Sequence, residues 1–324
     1  MSLPGEFELI SRYFAPLAGP GALGLKDDAA VLDLKPGRSL VATVDTVIAG
    51  VHFLPEDPPD LVARKALRVN LSDLAAMGAE PLGYLLVTAL TATTEEAWVA
   101  EFARGLAEDQ EEFKVSLLGG DTAATPGPLT ITITALGQVE AGRALLRSGA
   151  SPGEGVYVSG TLGDAAFGLA VARGGGAGLG EADRAFLLGR YRLPRPRLAL
   201  GRRLLGIASA ALDVSDGVAA DLGHICEASG VGARIEAARL PLSPAGRAVL
   251  ATEEGGLIRA MTGGDDYELL FTASLEREPE LARIAAELDL PLTRIGEIVA
   301  ELGLTALDRA GRPIALAAGG WLHF

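Results

Sequence analysis

Val69-Asn70-Leu71-Ser72-Asp73-Leu74-Ala75-Ala76-Met77-Gly78-Ala79 places a carboxylate where a helix would otherwise bury an apolar face. On a helix, the neighbours of Asp73 three and four residues away are Val69, Asn70, Ala76 and Met77, while Lys65, Arg68 and Ser72 form a separate polar strip. A carboxylate on that face needs a partner, which an N-cap geometry, an internal ion pair or a metal ion could supply. The rest of the chain favours the metal. Pro58-Pro59-Asp60 opens this helix and Gly78 closes it. A β-branched strand, Leu40-Val41-Ala42-Thr43-Val44, precedes it and ends on Asp45-Thr46, and a second strand, Gly83 to Ala89, follows it.

The same alternation continues in both directions. Glu6 to Phe14 reads as a short amphipathic helix. Gly19-Pro20-Gly21-Ala22-Leu23-Gly24 matches a dinucleotide-binding pattern literally, but it contains a proline and runs into the strand-like segment Asp27 to Leu32 instead of opening a helix, so it is set aside. Glu95 to Phe113 is a second long helix. Val115 to Leu118 reads as a strand that breaks at Gly119-Gly120-Asp121-Thr122, and Leu129 to Val139 alternates as a strand. Arg143 to Gly155, rich in Gly, Ser and Pro, marks the boundary between an N-terminal domain, residues 1–142, and a C-terminal domain, residues 143–324.

The second half opens with Val156-Tyr157-Val158-Ser159 and a small-residue helix from Gly163 to about Ala172. The glycine run 174–180 reads as a surface loop, because no strand precedes it. Beyond Pro194 and Pro196 a helix follows, then Ala210-Ala211-Leu212-Asp213-Val214-Ser215-Asp216-Gly217 runs into the helix of Asp221, His224 and Cys226. Gly263-Gly264-Asp265-Asp266-Tyr267-Glu268 leads into the strand Leu269 to Thr272. Strands and helices interleave in both halves, so the class is α/β or α+β with two domains of similar size. That agrees with 324 residues and 49% hydrophobic content, enough for about two domains at roughly 150 residues each.

Composition excludes several functions. No segment approaches the ~18 uninterrupted apolar residues of a membrane span, and the N-terminus lacks a basic start and apolar run, so a cytoplasmic protein is expected. The net charge of −14 argues against a nucleic-acid partner, which requires clustered Lys and Arg. Cys226 is the single cysteine and has no internal partner.

Asp recurs in glycine-rich or strand-end segments: Asp27 with Asp28, Asp45, Asp73, Asp121, Asp213 with Asp216, and Asp265 with Asp266. Two like charges ~4 Å apart repel by about 4 kcal/mol at an effective dielectric near 20, so any convergence of these carboxylates calls for cations. Carboxylates with Thr43, Ser215 and nearby carbonyls form a hard-oxygen set that suits Mg²⁺, Mn²⁺ or Ca²⁺ better than zinc. The histidines at 52, 224 and 323 are scattered, and His224 reads as structural. Mg²⁺ on carboxylates usually accompanies phosphates, yet no G-x-x-x-x-G-K-[ST] loop and no protein-kinase signature occurs. ATP would then be held by metals, glycine turns and scattered basic residues such as Arg147.

In order along the chain, Gly5-Glu6-Phe7, Asp27-Asp28-Ala29-Ala30, Asp45-Thr46 with Gly50-Val51-His52-Phe53, Asn70 to Ala79, Gly119-Gly120-Asp121-Thr122, Arg147-Ser148-Gly149-Ala150, Asp213-Val214-Ser215-Asp216-Gly217 and Gly263 to Leu269 resemble the thiamine-monophosphate kinase family of the aminoimidazole-ribonucleotide-synthetase-like superfamily. The resemblance implies a two-domain fold of that superfamily, with N-terminal sheets pairing across a homodimer. It implies transfer of the γ-phosphoryl group of ATP to thiamine monophosphate, with Mg²⁺, giving thiamine diphosphate. By the same resemblance Asp28, Thr43, Asp45, Asp73, Asp121, Asp213 and Asp216 would hold several Mg²⁺ ions. Gly120, Asp121, Arg147 and Ser215 would contact ATP, and His52, Asp265 and Trp321 would face the thiamine phosphate.

Three positions depart from the family pattern: Lys26 replaces a usual Gly and is expected to face solvent, Val44 stands where Thr is common, and Asp265 replaces a usual Glu. The acceptor is already an ionised phosphate oxygen, so no general base is nominated. Two rivals stand beside this reading: another ATP-using enzyme of the superfamily, like aminoimidazole ribonucleotide synthetase, and a non-catalytic acidic protein that binds divalent metal.

Overall fold

The computed structural model describes residues 4–315 and divides into two compact units. The first comprises 1–74 with 79–142, and the second 75–78 with 143–324. Among the described residues, no helix is long and apolar enough to cross a membrane.

In the first unit, a short helix α1 (Glu6–Leu9) precedes strand β1 (Arg38–Ile48), helix α2 (Pro59–Ala76), strand β2 (Glu80–Thr91), helix α3 (Glu96–Phe113) and strands β3 (Leu117–Thr125) and β4 (Thr130–Glu140). The sheet order is β1-β4-β2-β3. Only β2 and β3 run parallel, because a crossover helix, α3, joins them. The strands alternate. Ile131, Ile133, Ala135, Leu86 and Leu90 are buried on one face, and Leu40, Val44, Leu85 and Val87 stand exposed on the other.

Helix α2 begins at Pro59, where a missing N–H costs nothing, and stops at Gly78, whose φ of 68° is the left-handed conformation that glycine adopts freely. Its polar strip is buried, not solvated. Arg68 grips the fully buried Asp109 of α3 through two bonds of 2.7 and 2.8 Å, Arg64 adds a third, and the Lys65 ammonium donates to the His52 carbonyl at 3.0 Å. The helices approach closely at Gly105, where a Cβ would lie 2.2 Å from the Asp60 carbonyl.

The second unit contains β5 (Gly155–Ser159), α4 (Asp164–Ala172), α5 (Glu181–Arg192), α6 (Leu198–Arg203), β6 (Ala210–Asp213), α7 (Val218–Ser229), β7 (Gly232–Glu236), α8 (Pro244–Thr252), α9 (Gly256–Thr262), β8 (Leu269–Ala273), α10 (Glu278–Leu288), β9 (Leu292–Val299), β10 (Gly303–Leu307) and β11 (Pro313–Ile314). The strands form one mixed sheet, β11-β10-β7-β9-β5-β8-β6, parallel only between β10 and β7. Both faces are covered. Val156 and Val158 enter a core with Leu212, Leu222, Ile225 and Ile295, while Tyr157 enters another with Phe271, Leu200, Leu204 and Ile284. Burial on both faces explains why β5, β6 and β8 read as short continuous apolar runs.

Three expected elements differ. Asp27 to Leu32 forms no strand; Val31 is 60% exposed, since no strand edge pairs with its apolar residues beyond one bond from the Val31 N–H to the Gly21 carbonyl. β1 does not end at Asp45, because β4 continues to pair with it through Ile48 opposite Thr130. β3 does not break at Gly119-Gly120, because β2 carries it through to Thr125. Asp45 and Asp121 therefore lie inside strands.

Candidate functional site

In the first unit, strand alternation sends Thr43 and Asp45 from one face of β1, opposite the α2 turn that carries Asn70 and Asp73. The Thr43 hydroxyl donates to Asp73 Oδ2 at 2.5 Å. The Asp45 N–H donates to Asn70 Oδ1 at 3.1 Å, and the buried Asn70 amide donates in turn to the Ala66 carbonyl. Asp73 is thus neither an N-cap nor wholly buried; it is half-exposed in mid-helix. Burial, with the neighbouring Asp73 carboxylate acting in the same direction, pushes the Asp45 carboxyl up to about 6. Two facing carboxylates with a threonine hydroxyl are a hard-oxygen donor set, and their mutual repulsion is what a divalent cation relieves.

The other first-unit residues stand apart from this trio. Asp28 is exposed in the bend after the exposed Lys26. Asp121 is exposed, pairs in register with Val87 on the outer face of the sheet, and accepts the Thr122 N–H at 2.9 Å. A Cβ at Gly120 would lie 1.8 Å from the Leu86 carbonyl, so that position admits only glycine. His52 is half-buried, and its Nδ1 accepts the Ile48 N–H at 3.1 Å, which leaves the ring proton on Nε2.

In the second unit, β6 delivers the buried Asp213, and Val214-Ser215-Asp216-Gly217 turns into α7. Asp216, Asp221 and His224 offer ligand atoms within 4.8 Å of one another. Asp221 accepts the Asp216 N–H at 3.1 Å, and burial pushes its carboxyl up to about 8, with the charges of Asp216 and Asp213 adding to the rise. His224, expected as a structural residue, is an exposed imidazole on the Asp216 side of α7. Its signal in the sequence was the i, i+3 spacing from Asp221.

The 263–268 segment is stitched to this turn. The Asp265 N–H donates to the Ser215 carbonyl, the Tyr267 N–H to the Val214 carbonyl, and the Val214 N–H to the Glu268 carbonyl, at 2.8 to 2.9 Å. Asp265 has φ 73°, a left-handed conformation that a short Asp side chain tolerates better than Glu, which rationalises the departure at this position. Arg147 is exposed on a segment anchored by the Ala211 N–H to the Leu146 carbonyl and by Ser229 Oγ, which accepts from Gly149 and Ala150. Trp321 lies outside the described residues.

Comparison with known proteins accounts for nearly the whole chain. The AIR synthase related protein N-terminal domain matches residues 26–139, and the C-terminal domain matches 151–308. The chain is 45% identical to the thiamine-monophosphate kinase of Caulobacter vibrioides over 99% of its own length and 91% of that protein. Among solved structures, it resembles thiamine-monophosphate kinase from Stenotrophomonas maltophilia with a TM-score of 0.84 at 43% identity, covering 94% of this chain and 97% of that one. It also resembles AaThiL complexed with AMPPCP and TMP, with a TM-score of 0.79 at 30% identity, covering 99% and 97%.

Proposed function

The chain belongs to the thiamine-monophosphate kinases, within the AIR synthase related proteins, and is an ATP-dependent kinase acting on thiamine monophosphate; on that premise we propose how its acidic segments carry the transfer. The observation that carries the proposal is the Thr43–Asp45–Asp73 trio, in which burial and the facing Asp73 carboxylate raise the proton affinity of Asp45 and so present a place for Mg²⁺. Thr43, Asp45 and Asp73 would hold Mg²⁺ in the first unit, and Asp28 and Asp121, which stand apart from that trio, would hold further ions. Asp213 and Asp216 hold it in the second. Bound Mg²⁺ supplies charge neutralisation for the phosphate oxygens.

The chain's own residues position the two polyanions. Gly120, Asp121, Arg147 and Ser215 contact ATP; Arg147 contributes a guanidinium fork suited to phosphate oxygens. His52, Asp265 and Trp321 face the thiamine phosphate. The acceptor phosphate needs no proton removed, so alignment and electrostatics suffice, and no residue serves as general base. The outer face of the first-unit sheet, with Leu40 and Val44 49% and 59% exposed, supports pairing with a second copy as a homodimer. The acidic balance supports a protein without a nucleic-acid partner, and its place is the cytoplasm.

The test is an assay for thiamine diphosphate from ATP, thiamine monophosphate and MgCl₂, with EDTA and aminoimidazole-type substrates as controls. Formation of thiamine diphosphate that EDTA abolishes is expected. Metal binding without ATP consumption would move the chain to the non-catalytic reading.

A further inference from the structure

The Gly264–Glu268 turn carries more buried charge than its stitching to Ser215 requires. Glu268 is fully buried and receives four side-chain donors: Ser159 Oγ at 2.6 Å, Arg190 Nη2 at 3.0 Å, and Arg197 through Nε at 2.6 Å and Nη2 at 2.5 Å. Arg190, itself buried, also donates to the Asp266 carbonyl, and Ser159 Oγ accepts the Leu269 N–H at 2.9 Å. The buried Asp266 carboxylate receives the Gly163 and Ala165 N–H groups at the start of α4. Between these two anchored carboxylates sits Tyr267, with φ 51°, and just before them Asp265, with φ 73°. Two non-glycine residues in the left-handed region persist only where their surroundings over-determine them, and such strain gathers at ligand sites. Glu268 also seats against bare backbone: a Cβ at Gly160 would lie 2.3 Å from its carboxylate.

We propose that Arg190, Arg197 and Glu268 are positioning residues for the phosphoryl acceptor, a buried clamp that holds the turn in the backbone conformation presenting Asp265 and Tyr267 to the thiamine phosphate. The clamp rests on the assignment of Asp265 to the acceptor side. It acts from α5, from the residue before α6 and from the strand end at Ser159, so three separate segments converge on one carboxylate. Ser215 lies on the connection from β6 into α7, which fixes its place together with the bond from Asp265, so ATP binding should be less sensitive to the clamp.

The experiment is steady-state kinetics with both substrates, together with thermal melting, on Arg197→Ala, Arg197→Lys, Glu268→Gln and Asp265→Ala. Arg197→Ala is expected to raise the KM for thiamine monophosphate about 10-fold while the KM for ATP stays within about 2-fold, and Arg197→Lys, which keeps the charge but lacks the fork, to recover part of the loss. Glu268→Gln should follow Arg197→Ala. If it fails to fold, the Arg197 pair decides, because Arg190 still pairs with Glu268 there. A lowered Tm with an unchanged KM for thiamine monophosphate in both Arg197 variants would reduce the clamp to a structural role and overturn the proposal. Asp265→Ala separates the two layers. An unchanged KM in that variant removes Asp265 from the acceptor side and the proposal with it; a raised KM there beside unaffected Arg197 variants removes only the clamp.

Discussion

Thr43 of β1 donates its hydroxyl proton to Asp73 of α2, tying a mid-strand residue to a mid-helix carboxylate. The bond satisfies one lone pair of Asp73 without neutralising its charge, so the repulsion between Asp73 and Asp45 remains for a cation to relieve.

Asp73→Asn should therefore fold but lose nearly all activity, because the amide keeps the volume and removes a charge that Mg²⁺ needs. In metal-free buffer its Tm should equal or exceed that of the wild type. Retention of wild-type turnover would show that Asp73 is not a metal ligand.

The Asp45 carboxyl gives a pH dependence with a defined sign. Its folded-state value, about 6, lies above the ordinary 3.8, so its contribution to stability is complete below about pH 4 and is lost as pH rises through about 6. Melting in EDTA should show wild type losing stability over that window relative to Asp45→Asn, by about 1–3 kcal/mol at pH 8. Adding Mg²⁺ at pH 8 should raise the Tm of the wild type and not of the variant. Parallel melting curves for the two proteins across the window would remove the charge conflict from the account.

Arg147 is exposed, so its replacement should leave stability unchanged and act mainly on ATP. Arg147→Lys keeps a charge but not the fork, and should raise the KM for ATP about 3- to 10-fold with a smaller effect on thiamine monophosphate. Equal KM values for ATP in variant and wild type would take Arg147 out of the nucleotide contact.

Val44→Glu places a charge in the middle of the exposed apolar sheet face. Analytical ultracentrifugation should show a dimer for the wild type and a shift toward monomer for the variant, with secondary structure intact by circular dichroism. A wild type that sediments as a monomer would refute the pairing.

What could be read from the chain followed the range of the interactions that determine it. Helix α2 was legible from Pro59 to its glycine stop because capping is local, and β5 and β8 were legible because both faces are buried. The ends of β1 and β3 were not, since a strand stops where its neighbour stops, and nothing near Asp45 or Asp121 records the length of β4 or β2. Asp27 to Leu32 had the right residues for a strand and no edge to join. The Gly-Gly-Asp-Asp-Tyr-Glu motif was visible, but its two arginine partners, 71 and 78 residues away, were not. Asp221 and His224 escaped because a helix spacing of three is commonplace unless Asp216 is known to sit at its mouth.

The backbone ladder between 214–215 and 265–268 has an evolutionary reading as well. Each segment donates to and accepts from the other through three backbone bonds, so a residue inserted in either would slide the pairing and turn Asp265 or Ser215 away from its present direction. Neither stretch can be lengthened or shortened unless the other changes with it. In descendants of this chain these two segments must be inherited at fixed length, as a pair.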